Sequence, residues 1–149
     1  MMTTRLHARL NIFAQQNYAT VGLAIGRKDI KMITVKPATT NIDGVDYEME
    51  LATIGFTKLG REDHGIFTFV LDLDYGCGGQ GAGGYALNDP ETFGKAVQGI
   101  IDFFGSDWEH IKGRKVYALK EEHNGLVKGL VKSDQRAWIM FSDWRLRRG

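Results

Sequence analysis

Gly79, Gly81 and Gly84 stand in G-x-G-x-x-G spacing within Gly76–Gly84, a segment reading G-C-G-G-Q-G-A-G-G. In a dinucleotide site such glycines open a helix whose N-terminus receives a pyrophosphate. Here Tyr85-Ala86-Leu87-Asn88 intervenes before a helix can start at Asp89, and no β-α-β frame surrounds the motif. Simpler chemistry remains. Backbone without Cβ reaches φ > 0 and lets another surface come close, and its bare N–H groups can form a nest for an anion. The segment reads as a displayed loop, and ordering it costs entropy that a binding role would justify.

Acids flank this loop. Asp72 and Asp74 share one face of the preceding strand, and oxygen ligands so placed suit a divalent cation. Glu62, Asp63 and His64 lie in the turn before that strand. At ~3.3 Å per residue, His64 and Asp72 are about 26 Å apart along an extended chain, too far to share a metal. A metal-dependent phosphoesterase or nuclease using Asp72, Asp74 and His64 is therefore the alternative reading, and no catalytic, metal or cofactor residue is assigned. His7, His110 and His123 fall in separate elements without ligand spacing. Cys77 has no identifiable histidine partner, and Ser106, Ser133 and Ser142 lack a nucleophile elbow. Arg145, Arg147 and Arg148 with Trp138 and Trp144 offer phosphate contact and base stacking, a second alternative as a single-stranded nucleic-acid binder.

The whole chain does not favour that alternative. Nineteen basic and eighteen acidic residues leave a net charge of +1, without the field that draws a protein to nucleic acid or membrane. One cysteine excludes an internal disulfide framework and fits a reducing compartment. No apolar run approaches the ~18 residues of a membrane span, so the expected address is cytoplasmic. At 149 residues, 43% hydrophobic, the chain suits one soluble domain.

The elements that position these groups follow from periodicity. Leu6, Leu10 and Phe13 at i, i+4 and i+7 predict a helix over Arg5–Gln16. Ala19–Ile25 and Ile30–Lys36 predict a hairpin, and Pro37–Asn41 a loop that is the one internal boundary. Tyr47, Met49 and Leu51 alternate with Glu48 and Glu50, and the alternation slips near Ala52–Ile54, predicting a bulge. Phe67, Phe69, Leu71, Leu73 and Tyr75 take one face of the next strand, with Thr68, Val70, Asp72 and Asp74 on the other. Asp89-Pro90-Glu91 starts a helix running to Phe104, with Phe93, Val97, Ile100, Ile101 and Phe104 inward and Gly105 ending it. Ser106-Asp107-Trp108-Glu109 has capping-box form before one short turn. Val116–Glu121 and Leu126–Lys132 flank Asn124-Gly125, a hairpin signal, and Ala137–Phe141 precedes a basic tail at 145–149. Strands in runs with helices apart give a single α+β domain, a mainly antiparallel sheet with two main helices.

Two stretches carry a resemblance. Leu59-Gly60-Arg61-Glu62-Asp63-His64-Gly65-Ile66, then Leu73-Asp74-Tyr75-Gly76 and Gln80-Gly81-Ala82-Gly83-Gly84-Tyr85-Ala86-Leu87, resemble a group of small proteins encoded by bacteriophages and prophages. Trp108-Glu109-His110-Ile111-Lys112-Gly113-Arg114-Lys115-Val116 is similar to a second segment of that group. The chain departs from the pattern at Asn88, where aspartate is usual, and at Ala82, where an aromatic is common. The resemblance brings no activity and no catalytic residue. It implies an accessory protein acting in the bacterial host's cytoplasm, binding a host protein or small ligand, with inhibition of a host defence system as one such role.

The expected contact surface is Glu62, Asp63, His64, Asp72, Asp74, Tyr75, Gly79, Gln80, Gly81, Gly83, Gly84 and Tyr85. Glycine backbone admits the partner, Tyr85 adds an aromatic contact, and the acids select charge. Neither nucleic acid nor membrane is expected as a partner, and a homo-oligomer is left open.

Overall fold

The structure, a computed structural model, describes residues 10–15, 18–25, 29–35, 37–62, 64–84 and 89–149. The chain forms two compact units, Met1–Ala38 and Thr39–Gly149. The first is a three-stranded antiparallel sheet of β1 (Leu10–Gln15), β2 (Tyr18–Ile25) and β3 (Asp29–Val35), in that order. Leu10 pairs with Leu23 and Gln15 with Tyr18, so Leu10–Gln15 is strand where a helix is expected. Three apolar residues fit a helical stripe, but Ile12-Phe13 also suits a strand, and pairing with β2 decides between them. Residues 1–9 of the expected helix lie outside the described residues.

β4 (Ala38–Ile42), which belongs to the second unit from Thr39 on, replaces the expected Pro37–Asn41 loop and pairs with β5 (Val45–Arg61). Asp43 at φ 53° and Gly44 at φ 84° make the turn between them, both central residues left-handed as a type I′ hairpin requires. Asn41 Oδ1 accepts from the Gly44 N–H at 3.1 Å, tying off that turn.

β5 then pairs with β6 (Phe67–Asp74), which pairs with β7 (Gly79–Gly84). The β5–β6 register shifts between Ile54 and Thr57, a bulge just past the point where the apolar alternation slips. Leu51, expected inside with Tyr47 and Met49, is 49% exposed, and Ala52 and Ile54 are buried on the opposite face.

One helix, α1 (Pro90–Phe104), covers that opposite face. Asp89 caps it, its carboxylate accepting from the Thr92 N–H at 2.8 Å, and Gly105 ends it in the left-handed region at φ 63°. Its fully buried stripe is Ala96, Gly99, Ile100 and Phe103, and the expected Phe93, Val97 and Phe104 pack half-buried against the same core. Trp108–His110 form a short 3-10 turn; neither Asp107 nor Ser106 caps it through its side chain. The expectation of two main helices is thus not met among the described residues, which hold one helix and this turn.

β8 (Lys115–Lys120), β9 (Val127–Lys132), β10 (Ala137–Met140) and β11 (Leu146–Arg148) complete an antiparallel sheet ordered β11-β10-β9-β8-β5-β6-β7. The expected basic tail is therefore β11, paired to β10 from Ala137↔Arg148 to Ile139↔Leu146. The β8–β9 connection spans six residues, and neither Asn124 nor Gly125 has the positive φ of a two-residue turn. Between sheet and helix lies the core of Phe69, Leu71, Leu73, Val116, Ala118, Leu130, Ile139, Ile100 and Phe103. Trp108 and Trp144 meet the Phe69 ring edge-on at 5.7 and 5.4 Å.

Two helix glycines separate propensity from packing. A Cβ on Gly99 would run into the Trp144 carbonyl oxygen, whereas one on Gly94 would meet nothing within 4 Å. Gly99→Ala is expected to lose about 1–3 kcal/mol through overpacking. Gly94→Ala is expected to gain roughly 0.5–1 kcal/mol through reduced unfolded-state entropy. Urea denaturation of the two variants measures both signs.

Candidate functional site

The glycine segment is a strand. Only Tyr75–Gly78 turns; the Tyr75 N–H donates to the Gly78 carbonyl at 2.8 Å, and Gly76 at φ 85° takes the left-handed corner. From Gly79 the chain runs antiparallel along β6 in the pairs Asp74↔Gly79, Asp72↔Gly81 and Phe69↔Gly84. The loop expected over Gly76–Gly84 is thus confined to the turn Tyr75–Gly78. Six continuous pairs satisfy half of this backbone, and β7 has no second neighbour among the described strands.

The closing Tyr75–Gly78 bond sets which amides are used. Antiparallel pairs alternate between exchanging both hydrogen bonds and exchanging none. Alternation from that bond makes Leu73–Gln80, Leu71–Ala82 and Phe69–Gly84 the bonded pairs. Gly79, Gly81 and Gly83 therefore direct N–H and C=O away from β6. Every second residue of β7 is glycine, and these are the residues whose amides face outward.

The other expected residues separate into two groups. Asp72 and Asp74 stand on the face of β6 away from α1, beside Gly81 and Gly79. The Asp74 carboxylate accepts from the Gly76 N–H at 2.7 Å and holds the turn. Asp72 is half-buried, and among the described residues it carries no salt bridge. Its Oδ1 lies 3.6 Å from where a Gly79 Cβ would stand, and its Oδ2 occupies the space of a Gly55 Cβ. The carboxylate thus sits between two glycines, one on each strand flanking β6.

Glu62 and His64 sit at the opposite end of β6, where Glu62 exchanges backbone bonds with Ile66 and Gly65. Among the described residues no three of His, Cys, Asp and Glu gather around a metal-sized space. Asp63 and Tyr85 lie outside the described residues. Gly83 and Gly84 have structural work. A Gly83 Cβ would press on the Phe69 carbonyl and ring, and the Gly84 carbonyl accepts from the buried Thr68 Oγ1 at 2.8 Å.

Tyr75 and Gln80 lead to a cluster that the sequence pattern does not reveal. The Tyr75 hydroxyl is 3.3 Å from Gln80 Oε1, and Gln80 Nε2 donates to the Gly125 carbonyl at 3.1 Å, pinning the hairpin end to the β8–β9 connection. Lys120 Nζ lies 4.2 Å over the Tyr75 ring and 2.7 Å from Glu50 Oε2. At 4% exposure Lys120 is a buried charge, and β5–β8 pairing alone brings Glu50 within reach across seventy residues of sequence. Burial works to lower the Lys120 pKa, but contact with Glu50 and Tyr75 outweighs it and the net shift is upward. Burial raises the Tyr75 pKa against the opposing pull of Lys120. This lysine stays an ammonium; it is not a neutral nucleophile. The signal available in sequence was a lysine at an apolar-face position, two residues from Ala118.

The aromatic basic end is engaged elsewhere. Trp144 is 9% exposed and stacked on Phe141 at 4.6 Å, so it is not displayed for a base. Arg147 forms ion pairs with Asp43 and Asp143. A cleft of about 310 Å³ between Phe103, Phe104, Arg114, Lys115 and Lys132 contains none of the expected site residues. Compared with protein-family models, with curated proteins and with solved structures, the chain has no significant match.

The Lys120 cluster makes stability depend on alkaline pH. Both groups hold their protons more tightly when folded, so their contribution is complete below about pH 10, where the unfolded side chains titrate. It is lost as pH rises through the raised folded values. Lys120→Met is expected to flatten that decline in urea titrations from pH 8 to 11. Glu50→Gln leaves the ammonium buried without its carboxylate. Because Glu50 is still 35% exposed, its cost should sit at or below the low end of the roughly 3–5 kcal/mol typical of broken buried pairs.

Proposed function

We propose that the chain is an accessory binding protein of phage or prophage origin, without catalysis of its own, that occupies a host protein through the β6–β7 hairpin. Interference with a host defence system in the bacterial cytoplasm is the role this reading favours. What supports it is one observation above the others: β7 ends the sheet with its outward amides on Gly79, Gly81 and Gly83, residues that put no side chain in the way. Glycine in a strand interior weakens it, and a close backbone approach is a recurrent reason to keep it. Asp72 and Asp74 supply charge selectivity beside that edge.

Enzymatic readings have less support. Asp72 and Asp74 are at the far end of β6 from His64, and the Lys120 charge is neutralised in place by Glu50. No helix among the described residues is long and apolar enough to cross a membrane.

Gly81 is the position to perturb, because a Cβ there would make only a 3.4 Å contact with the Val70 side chain. Gly81→Pro removes an outward N–H that β6 does not use, so the fold should persist with Tm within a few degrees. Capture of a host protein from bacterial lysate should fall at least tenfold relative to the parent chain. Undiminished capture by a folded Gly81→Pro variant rejects this contact element.

A further inference from the structure

The two ends of the large sheet are treated differently. β11 is three residues long, carries Arg147 and Arg148, and has Arg147 tied to Asp43 and Asp143. Shortness and charge are the usual means by which a sheet edge is made unattractive to another strand. β7 shows neither. It is twice as long and contains no charged residue, no proline and no register shift against β6. Its six residues leave three outward amide groups, those of Gly79, Gly81 and Gly83. An edge in this condition templates a further strand by backbone hydrogen bonding, the mode known as strand addition.

We infer that β7 accepts an extended segment of a protein partner, and that this segment carries lysine or arginine at every second position, above Asp72 and Asp74. The inference rests on the proposed function and names the chemistry of its partner. Residues of an added strand opposite Gly79 and Gly81 would project on the same face as those glycines, which is the face of Asp72 and Asp74. The incoming side chain then meets no Cβ on β7. A lysine or arginine stem lies across the glycine backbone and brings its charge to the Asp72 carboxylate, which already leans over Gly79. Lys58, diagonal to Asp72 across the β5–β6 pair, forms no salt bridge with it, so the acid's charge is unanswered from within the described residues. A second copy of this chain answers it poorly. Joining β7 to β7 contributes no cation and leaves four carboxylates along one seam.

The test uses the full-length chain labelled with ¹⁵N and three synthetic eight-residue peptides. One alternates lysine and threonine, one alternates glutamate and threonine, and the third is the lysine peptide N-methylated at every second amide. The lysine peptide is expected to shift the Gly79 and Gly81 amide signals and slow their hydrogen exchange. Its Kd should rise at least tenfold for Asp72→Asn/Asp74→Asn, which keeps the Asp74 acceptor for Gly76. Loss of binding by the glutamate and N-methylated peptides completes the expected result. Equal binding of the glutamate peptide overturns the charge assignment. Equal binding of the N-methylated peptide overturns strand addition, leaving only non-specific attraction. Self-association in sedimentation with protection of Gly79 and Gly81 overturns the choice of occupant. If Gly81→Pro abolishes host-protein capture while the lysine peptide leaves the glycine amides untouched, the proposed function stands and this inference falls.

Discussion

Burial of Phe69, Leu71 and Leu73 against α1 is the constraint from which the rest of the second unit follows. All three are fully shielded, and Phe69 is gripped by Trp108 and Trp144 as well. A strand's side chains alternate, so locking these three inward forces Asp72 and Asp74 onto the opposite face. A one-residue slip would bury two carboxylates and expose the core. The register of β6 is therefore stiff, and β7 inherits it through six pairs. Which amides of β7 face outward is in this sense a consequence of core packing on the far side of the sheet.

Close packing also explains why glycines that look alike are not equivalent. Gly83 has no room for a Cβ beside Phe69, and Gly99 has none beside the Trp144 carbonyl. Gly55 gives its space to the Asp72 carboxylate. Gly79 and Gly81 can take a methyl group with only modest adjustment, so fold packing alone does not require them. That difference separates glycines kept for the core from glycines whose absence of side chain is felt on the outside. The buried Lys120–Glu50 pair does comparable positional work at the turn, since Tyr75 lies under the ammonium and Gln80 reaches the β8–β9 connection.

Legibility in the sequence tracked how local the determining interaction is. The start of α1 was readable because Asp89 caps the Thr92 N–H and Pro90 brings no donor to satisfy, all within four residues. The faces of β6 were readable because five apolar residues alternate without interruption. Among the two dipeptides with hairpin chemistry, Asp43-Gly44 makes the left-handed turn, while Asn124-Gly125 sits in a longer connection held by Gln80 from a distant strand. Leu10 and Phe13 continue a helical stripe from Leu6, and Leu10–Gln15 becomes a strand because β2 pairs with it. Tyr75 and Gln80 belonged to the expected contact surface, but their link to Lys120 and Glu50 had no sequence spacing to announce it.

By itself the chain determined an α+β composition, a capped helix after Asp89, a central strand with one apolar and one acidic end, and a glycine run directly behind it. Those features rest on hydrogen bonds and periodicities that close within a few residues. Only the tertiary structure decided that the glycine run is an edge strand, that its alternate glycines face outward, and that Trp144 and Arg147 are committed to the fold. Each of those outcomes depends on which strands become neighbours. Backbone hydrogen bonding between strands is indifferent to side-chain identity, so a segment with almost no side chains carries least of that information in its own sequence.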